Sequence, residues 1–207
     1  MRDTHVVPSP MTVDEYLAFE ESSPERHEYI AGVVYLMSGA SGRHNLISSN
    51  ILRAVHAAAR RRGCRVYMEG VKLRAAQDRI YYPDVMVVCR ELAGDEIVLE
   101  NPSLIVEVTS PGTRATDRRE KLAAYRAMPS LETYVIVEQR RRLVTVHWRV
   151  QGGEWQGLEL AGDGDIPLPF LGTTLTLDQI YEDVPLPPLR VGEEADELAG
   201  DEDDGSY

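Results

Sequence analysis

A chain of 207 residues with 43% hydrophobic and 27% charged positions is long enough for one domain, or one domain and a tail, and its hydrophobic share excludes general disorder. No stretch nears the roughly 20 apolar residues that cross a bilayer, and Met1–Met11 lacks the apolar run of a signal peptide, so no membrane partner is expected. The net charge of −12 comes from 22 basic and 34 acidic residues and is uneven: residues 191–207 hold eight acids and no base, leaving −4 for the rest.

That like-charged, apolar-poor end predicts an acidic disordered tail over 191–207, behind a folded domain over 1–190. Cys64 and Cys89 make neither a disulfide framework nor a zinc site by themselves, so a reducing, cytoplasmic setting is expected.

Thr12, with Glu15 three positions on, reads as a capping box and predicts a short helix over Val13–Glu20, ended by Ser22-Ser23-Pro24. Tyr29–Met37 carries Ile30, Val33, Val34 and Leu36 around Gly32 and predicts a hairpin. The clearest helix runs over His44–Arg62. Ile47, Ile51, Ala54, Val55 and Ala58 form its apolar stripe, basic side chains in the last turn suit the dipole, and Gly63 is the stop. Cys64–Arg74 and Ile80–Val88 each predict one strand, with a turn at Gln77-Asp78. Leu104–Val108 is a continuous apolar run, as expected of a strand buried on both faces. A helix follows Pro111-Gly112, over Ala115–Ala127, and Pro129 closes it. Strands at Thr133–Val137 and Leu143–Trp148 and a last helical turn at Thr176–Tyr181 complete an α/β (α+β) fold, a mixed sheet flanked by helices.

Two acids stand in unusual places. Asp84 lies between Tyr81-Tyr82-Pro83 and Val85–Val88, and Glu107 lies inside the Leu104–Val108 run. A buried carboxylate is costly unless it is paired or bound to a cation. A salt bridge from an arginine would satisfy each acid singly. If neighbouring strands bring both to one point, their repulsion calls for a divalent cation between them. All-oxygen donors then select magnesium or manganese over zinc. On that arrangement Asp84→Asn is expected to raise the stability of the metal-free protein by relieving like-charge repulsion.

The segments Glu28-Tyr29-Ile30-Ala31-Gly32, Gly42-Arg43-His44-Asn45, Tyr81-Tyr82-Pro83-Asp84-Val85, Val106-Glu107-Val108-Thr109-Ser110-Pro111 and Asp117 to Lys121 with Tyr125 occur in this order. Together they resemble the Uma-type restriction endonuclease family of the PD-(D/E)XK nuclease superfamily, over most of residues 12–150. The resemblance implies a restriction-endonuclease-like core, Mg²⁺ or Mn²⁺ at Asp84 and Glu107, and phosphodiester hydrolysis in nucleic acid, DNA rather than RNA. It also implies a third acid, Glu28, on the first core helix near the metal or its water. One position departs from the pattern: Thr109 stands where the superfamily has a lysine, two residues after the second acid. A lysine near the scissile phosphate orients or activates water and offsets developing charge. Lys121, on the helix after the strand, is the expected substitute, as in similar superfamily members. Lys72, on the Cys64–Arg74 strand, is the rival.

His44 opens the long helix, whose first amides attract phosphate, and is a candidate substrate contact; the plain alternative is a helix cap. Gln139, at the end of the Thr133–Glu138 strand, is a candidate for orienting water or touching DNA, against a simple turn residue. Arg114, Arg118, Arg119 and Arg140–Arg142 offer backbone-phosphate contacts or a solvated face. The first functional reading is a Mg²⁺-dependent endonuclease, homodimeric because two-fold symmetry matches a duplex cut on both strands. The second is a catalytically inactive nucleic-acid- or protein-binding protein on a nuclease-like scaffold, motivated by Thr109 and the acidic balance.

Overall fold

The computed structural model of the protein describes residues 10–186 apart from 38, 91–93, 95, 110–119 and 151. The first helix, α1 (Val13–Ser22), starts as predicted. The Thr12 side chain accepts the Glu15 amide, and Glu15 Oε2 accepts the Thr12 amide at 2.8 Å. Strands β1 (His27–Ile30) and β2 (Val33–Leu36) form the predicted hairpin, turning at Ala31 and Gly32, both at positive φ. The long helix α2 (Gly42–Arg61) starts two residues before the predicted His44 and buries Ile47, Ile51, Val55 and Ala58 along its stripe.

The next segment departs from the sequence reading. The two strands predicted over Cys64–Arg74 and Ile80–Val88 are four: β3 (Arg65–Met68), β4 (Lys72–Ala76), β5 (Arg79–Tyr81) and β6 (Val85–Val88). β3 pairs with β6 in a six-stranded sheet, whereas β4 pairs with β5 in a five-stranded one, so a single hairpin crosses from one sheet to the other. The causes are local. Glu69 and Gly70 take φ of 35° and 81°, which ends β3. Pro83 has no amide to give a ladder, which separates β5 from β6. The Arg26 guanidinium lies against Gly70, where a Cβ would sit 2.8 Å from Nη2 and the arginine would have to shift.

The remaining strands are β7 (Val98–Leu99), β8 (Pro102–Thr109), β9 (Thr133–Glu138), β10 (Leu143–Arg149), β11 (Trp155–Ala161), β12 (Asp165–Leu168) and β13 (Thr173–Thr176). The larger sheet runs β11-β10-β9-β8-β6-β3, with β8 and β9 parallel; the other runs β2-β1-β5-β4-β7. β8 is buried along its whole length, as its apolar run predicts. Alternation splits the larger sheet between two cores. Val85, Val87, Leu104, Val106 and Val135 pack toward α2. Met86, Val88, Ile105, Tyr134 and Ile136 pack on the opposite face, with Leu73, Tyr81 and Tyr125. α3 (Leu122–Arg126) is the described part of the helix predicted over Ala115–Ala127, and α4 (Leu177–Ile180) is the last helical turn. The fold is the mixed α+β arrangement expected. The acidic tail, Arg114, Arg118 and Arg119 lie outside the described residues. No helix among the described residues is long and apolar enough to cross a membrane.

The β3/β6 register ends at Arg65↔Val88, which brings Cys64 and Cys89 together, and they are joined in a disulfide with Cα atoms 4.0 Å apart. One bridge is less than a framework, yet it removes the cysteines as an argument for a reducing compartment. Their separation in sequence is 25 residues. Closing a loop of that size in the unfolded chain stabilises the fold by about 3 kcal/mol. Denaturant melts with and without a thiol reductant should differ by about that amount, and a Cys64→Ala, Cys89→Ala double variant should show no such difference. Equal melts of the oxidised and reduced wild type would show that the bridge adds no stability.

Candidate active site

Glu107 shares its face of β8 with Ile105, so alternation turns it away from α2 and toward α3. There Tyr125 donates its hydroxyl to Glu107 Oε1 at 2.8 Å, and Lys121 Nζ lies 3.1 Å from the same oxygen. Lys121 Nζ is also 2.9 Å from Glu28 Oε1. Glu28, Glu107 and Lys121 are 5%, 4% and 4% exposed, so this ammonium and two carboxylates meet almost without water. Lys121 immediately precedes α3, and its ammonium is 5.5 Å from the centre of the Tyr81 ring. Glu28 arrives on a strand, β1, and not on a helix as the resemblance implies. It reaches the site because β1 pairs with β5 at Tyr29↔Ile80, next to Tyr81, whose ring packs edge-on against Tyr125.

The β6/β8 register Val85↔Val106 sets Asp84, one residue before β6, beside Glu107 on the adjacent strand. Asp84 Oδ2 accepts the Val108 amide at 2.6 Å and lies 3.2 Å from His44 Nε2. Neighbouring acids are thus held by different groups, Glu107 by Lys121 and Tyr125, and Asp84 by the start of α2. Burial alone would lower the pKa of His44, but the hydrogen bond to Asp84 and the charges of Asp84 and Glu69 raise it above its ordinary value. Asp84 therefore has partners of its own without any metal, and on this geometry Asp84→Asn is expected to lower, not raise, the melting temperature of the metal-free protein, because it removes the negative charge that the Val108 amide and His44 face.

The cap of α2 is Ser41, not His44. Ser41 Oγ accepts the His44 amide at 3.2 Å and donates to Gln139 Oε1 at 2.7 Å, so Gln139 is tied to the helix start. Lys72, the rival lysine, lies over the Tyr82 ring at 5.6 Å, and the lysine beside Glu107 is Lys121. Thr109 turns its hydroxyl to the Val137 carbonyl at 3.4 Å. Arg142 is tied to Asp178 and to the Gly162 carbonyl, a structural role for one member of the Arg140–Arg142 run. Sequence reasoning assigned no role to Ser41, Glu69 or Tyr125. Ser41 had a signal, a serine just before an apolar stripe. Glu69 had none, because its place depends on the bend that ends β3; its amide donates to the Asp84 carbonyl at 3.2 Å.

Among the described residues no group of three or more His, Cys, Asp or Glu side chains is arranged to hold a metal ion. The donors at hand are two carboxylates, Glu107 on β8 and Asp84 just before β6. Magnesium commonly takes one or two protein carboxylates and completes its shell with water and phosphate oxygens, so the oxygen chemistry of these two side chains suits Mg²⁺ or Mn²⁺ rather than zinc.

Residues 13–178, which include all of these side chains, match the family described as "Uma2: Putative restriction endonuclease". The chain belongs to this family. Two uncharacterized proteins of Synechocystis sp. are similar to it over most of their lengths. One, sll1609, is 32% identical over 166 residues, covering 78% of this chain and 94% of its own. The other, slr1290, is 29% identical over 174 residues, covering 83% and 91%. A crystal structure of a putative nuclease belonging to DUF820 from Anabaena variabilis superposes with a TM-score of 0.67 at 21% identity, over 83% of this chain and 98% of that one. At that identity the likeness speaks for the fold alone: the Uma2-family chain has a nuclease-like fold.

Proposed function

We propose that this Uma2-family chain is a divalent-metal-dependent endonuclease that hydrolyses phosphodiester bonds of DNA, with Asp84 and Glu107 as the donors for Mg²⁺ or Mn²⁺. The observation that carries the reading is Lys121, buried between Glu107 and Glu28. When bound, the ion makes a coordinated water more acidic and offsets phosphate charge. The chain's own groups do the rest. Lys121 supplies a fixed cation in a nearly dry place, where it stabilises developing negative charge far better than at a surface. Glu28 and Tyr125 hold Lys121 and Glu107 in place. His44 and the first amides of α2 offer donors to a phosphate, on a helix start fixed by Ser41 and Gln139. No module for base readout is evident in the sequence, so low sequence specificity belongs to this reading. So do a homodimer, a cytoplasmic setting where DNA is at hand, and a domain over 1–190 with an acidic tail over 191–207.

Supercoiled plasmid incubated with the protein and Mn²⁺ should be nicked, and Asp84→Ala should slow nicking by roughly 10²–10³-fold. Calorimetric titration should show weaker Mn²⁺ binding in the same variant. Thr109 favours the second reading, a binding protein without catalysis. Retention of DNA with no divalent ion and no cutting under any metal would establish that reading and dismiss the first.

A further inference from the structure

Glu20 is a buried acid outside the set described so far. Its carboxylate, at the end of α1, is 7% exposed. It gathers groups from two distant segments. Oε1 accepts the His27 amide at 2.9 Å and the Tyr82 hydroxyl at 2.6 Å, and Oε2 lies 3.0 Å from His27 Nδ1. Tyr16, one turn earlier on α1, donates its hydroxyl to the His27 carbonyl at 2.5 Å. Burial, and then the bond to Glu20, push the Tyr82 hydroxyl far above its ordinary pKa, so it stays a donor. An apolar residue would seat α1 without the cost of burying a carboxylate, so the choice of an acid points to what it holds.

His27 immediately precedes Glu28, and Tyr82 precedes Asp84 by two residues, with the stiff Pro83 between. β1 belongs to the five-stranded sheet and β6 to the six-stranded one, so no ladder joins them directly. We propose that Glu20 is a positioning residue that sets Glu28 and Asp84 relative to one another across the two sheets. The inference rests on the assignment of those acids to the active site. Glu20 touches neither of them. It acts through the His27 backbone on one side and the Tyr82 ring on the other.

Tyr82→Phe removes only the hydroxyl and keeps the ring packing. The readout is amide exchange by NMR on the full, metal-free chain. The Val108 amide, held by Asp84 Oδ2, should exchange about tenfold faster in Tyr82→Phe and in Glu20→Ala, while the Val135 amide in the middle of the sheet keeps its rate. Glu20→Gln retains an acceptor for both donors and should keep Val108 within about threefold of wild type. Mn²⁺ affinity should fall in the same order. Wild-type protection of Val108 in Tyr82→Phe overturns the inference, and so does an equal change at Val108 and Val135, which is plain destabilisation. Should Glu20→Ala fail to fold, Tyr82→Phe decides alone. A wild type that binds no Mn²⁺ defeats the metal reading of the site, and the Val108 amide still decides the role of Glu20.

Discussion

Lys121→Ala is expected to abolish DNA cleavage and to destabilise the metal-free protein by about 3–5 kcal/mol. Both effects have one cause. Lys121 is the cation between Glu28 and Glu107, and its removal leaves two nearly water-free carboxylates facing each other. A buried charge that loses its partner costs far more than the pair gave. Adding Glu28→Gln to Lys121→Met takes away one of the stranded charges, so that double variant should recover much of the stability and none of the cleavage. Thr109→Lys on the Lys121→Ala background should recover part of the rate. Positions 107 and 109 share one face of the strand, so the new ammonium returns to the neighbourhood of Glu107. Denaturant melts and plasmid nicking on the same preparations separate the two effects. Nicking at the wild-type rate in Lys121→Ala would remove Lys121 from the mechanism.

Tyr125→Ala should cost about 3–5 kcal/mol, the range for deleting a buried aromatic ring. The ring is fully buried, edge-on to Tyr81 at 5.5 Å and to Tyr134 at 5.0 Å. It is the piece of core that ties α3 to β5 and β9. Tyr125→Phe keeps those contacts and loses only the hydroxyl given to Glu107, which should cost about 1.5–3 kcal/mol, as for a bond to a charged acceptor. The Phe variant should also weaken Mn²⁺ binding, because Glu107 loses one of the groups that aim it. If Phe and Ala cost the same in denaturant melts, the ring packing contributes nothing and the account of this core is wrong.

The anomalies were legible in the sequence before any packing was known. Asp84 and Glu107 stood out because an acid in an apolar run needs a reason, and the register sets Asp84, just before β6, next to the segment of β8 that carries Glu107. Lys121 was reachable only through the family resemblance, whose lysine position Thr109 leaves empty, and it meets Glu107. Glu28 was legible as a residue but not as an element: it sits on a strand that reaches the site through its pairing with β5. Glu20 had no sequence signal at all, because an acid at the end of a surface helix is ordinary until its neighbours are known.

The amino-acid sequence by itself determined the elements whose cause is local: the capping box at Thr12 and Glu15, the stripe of α2, and the buried run of β8. Each depends on residues within a turn or two, or on a period of apolar side chains, and both can be read from spacing. Only the tertiary structure decided how those elements combine. It split Cys64–Arg74 and Ile80–Val88 between two sheets, joined Cys64 to Cys89, and closed Glu28, Lys121 and Glu107 into one buried group. The physical reason is that strand pairing brings together residues far apart in the chain. The partner that makes a buried charge affordable is chosen by register, and not by any neighbour along the chain.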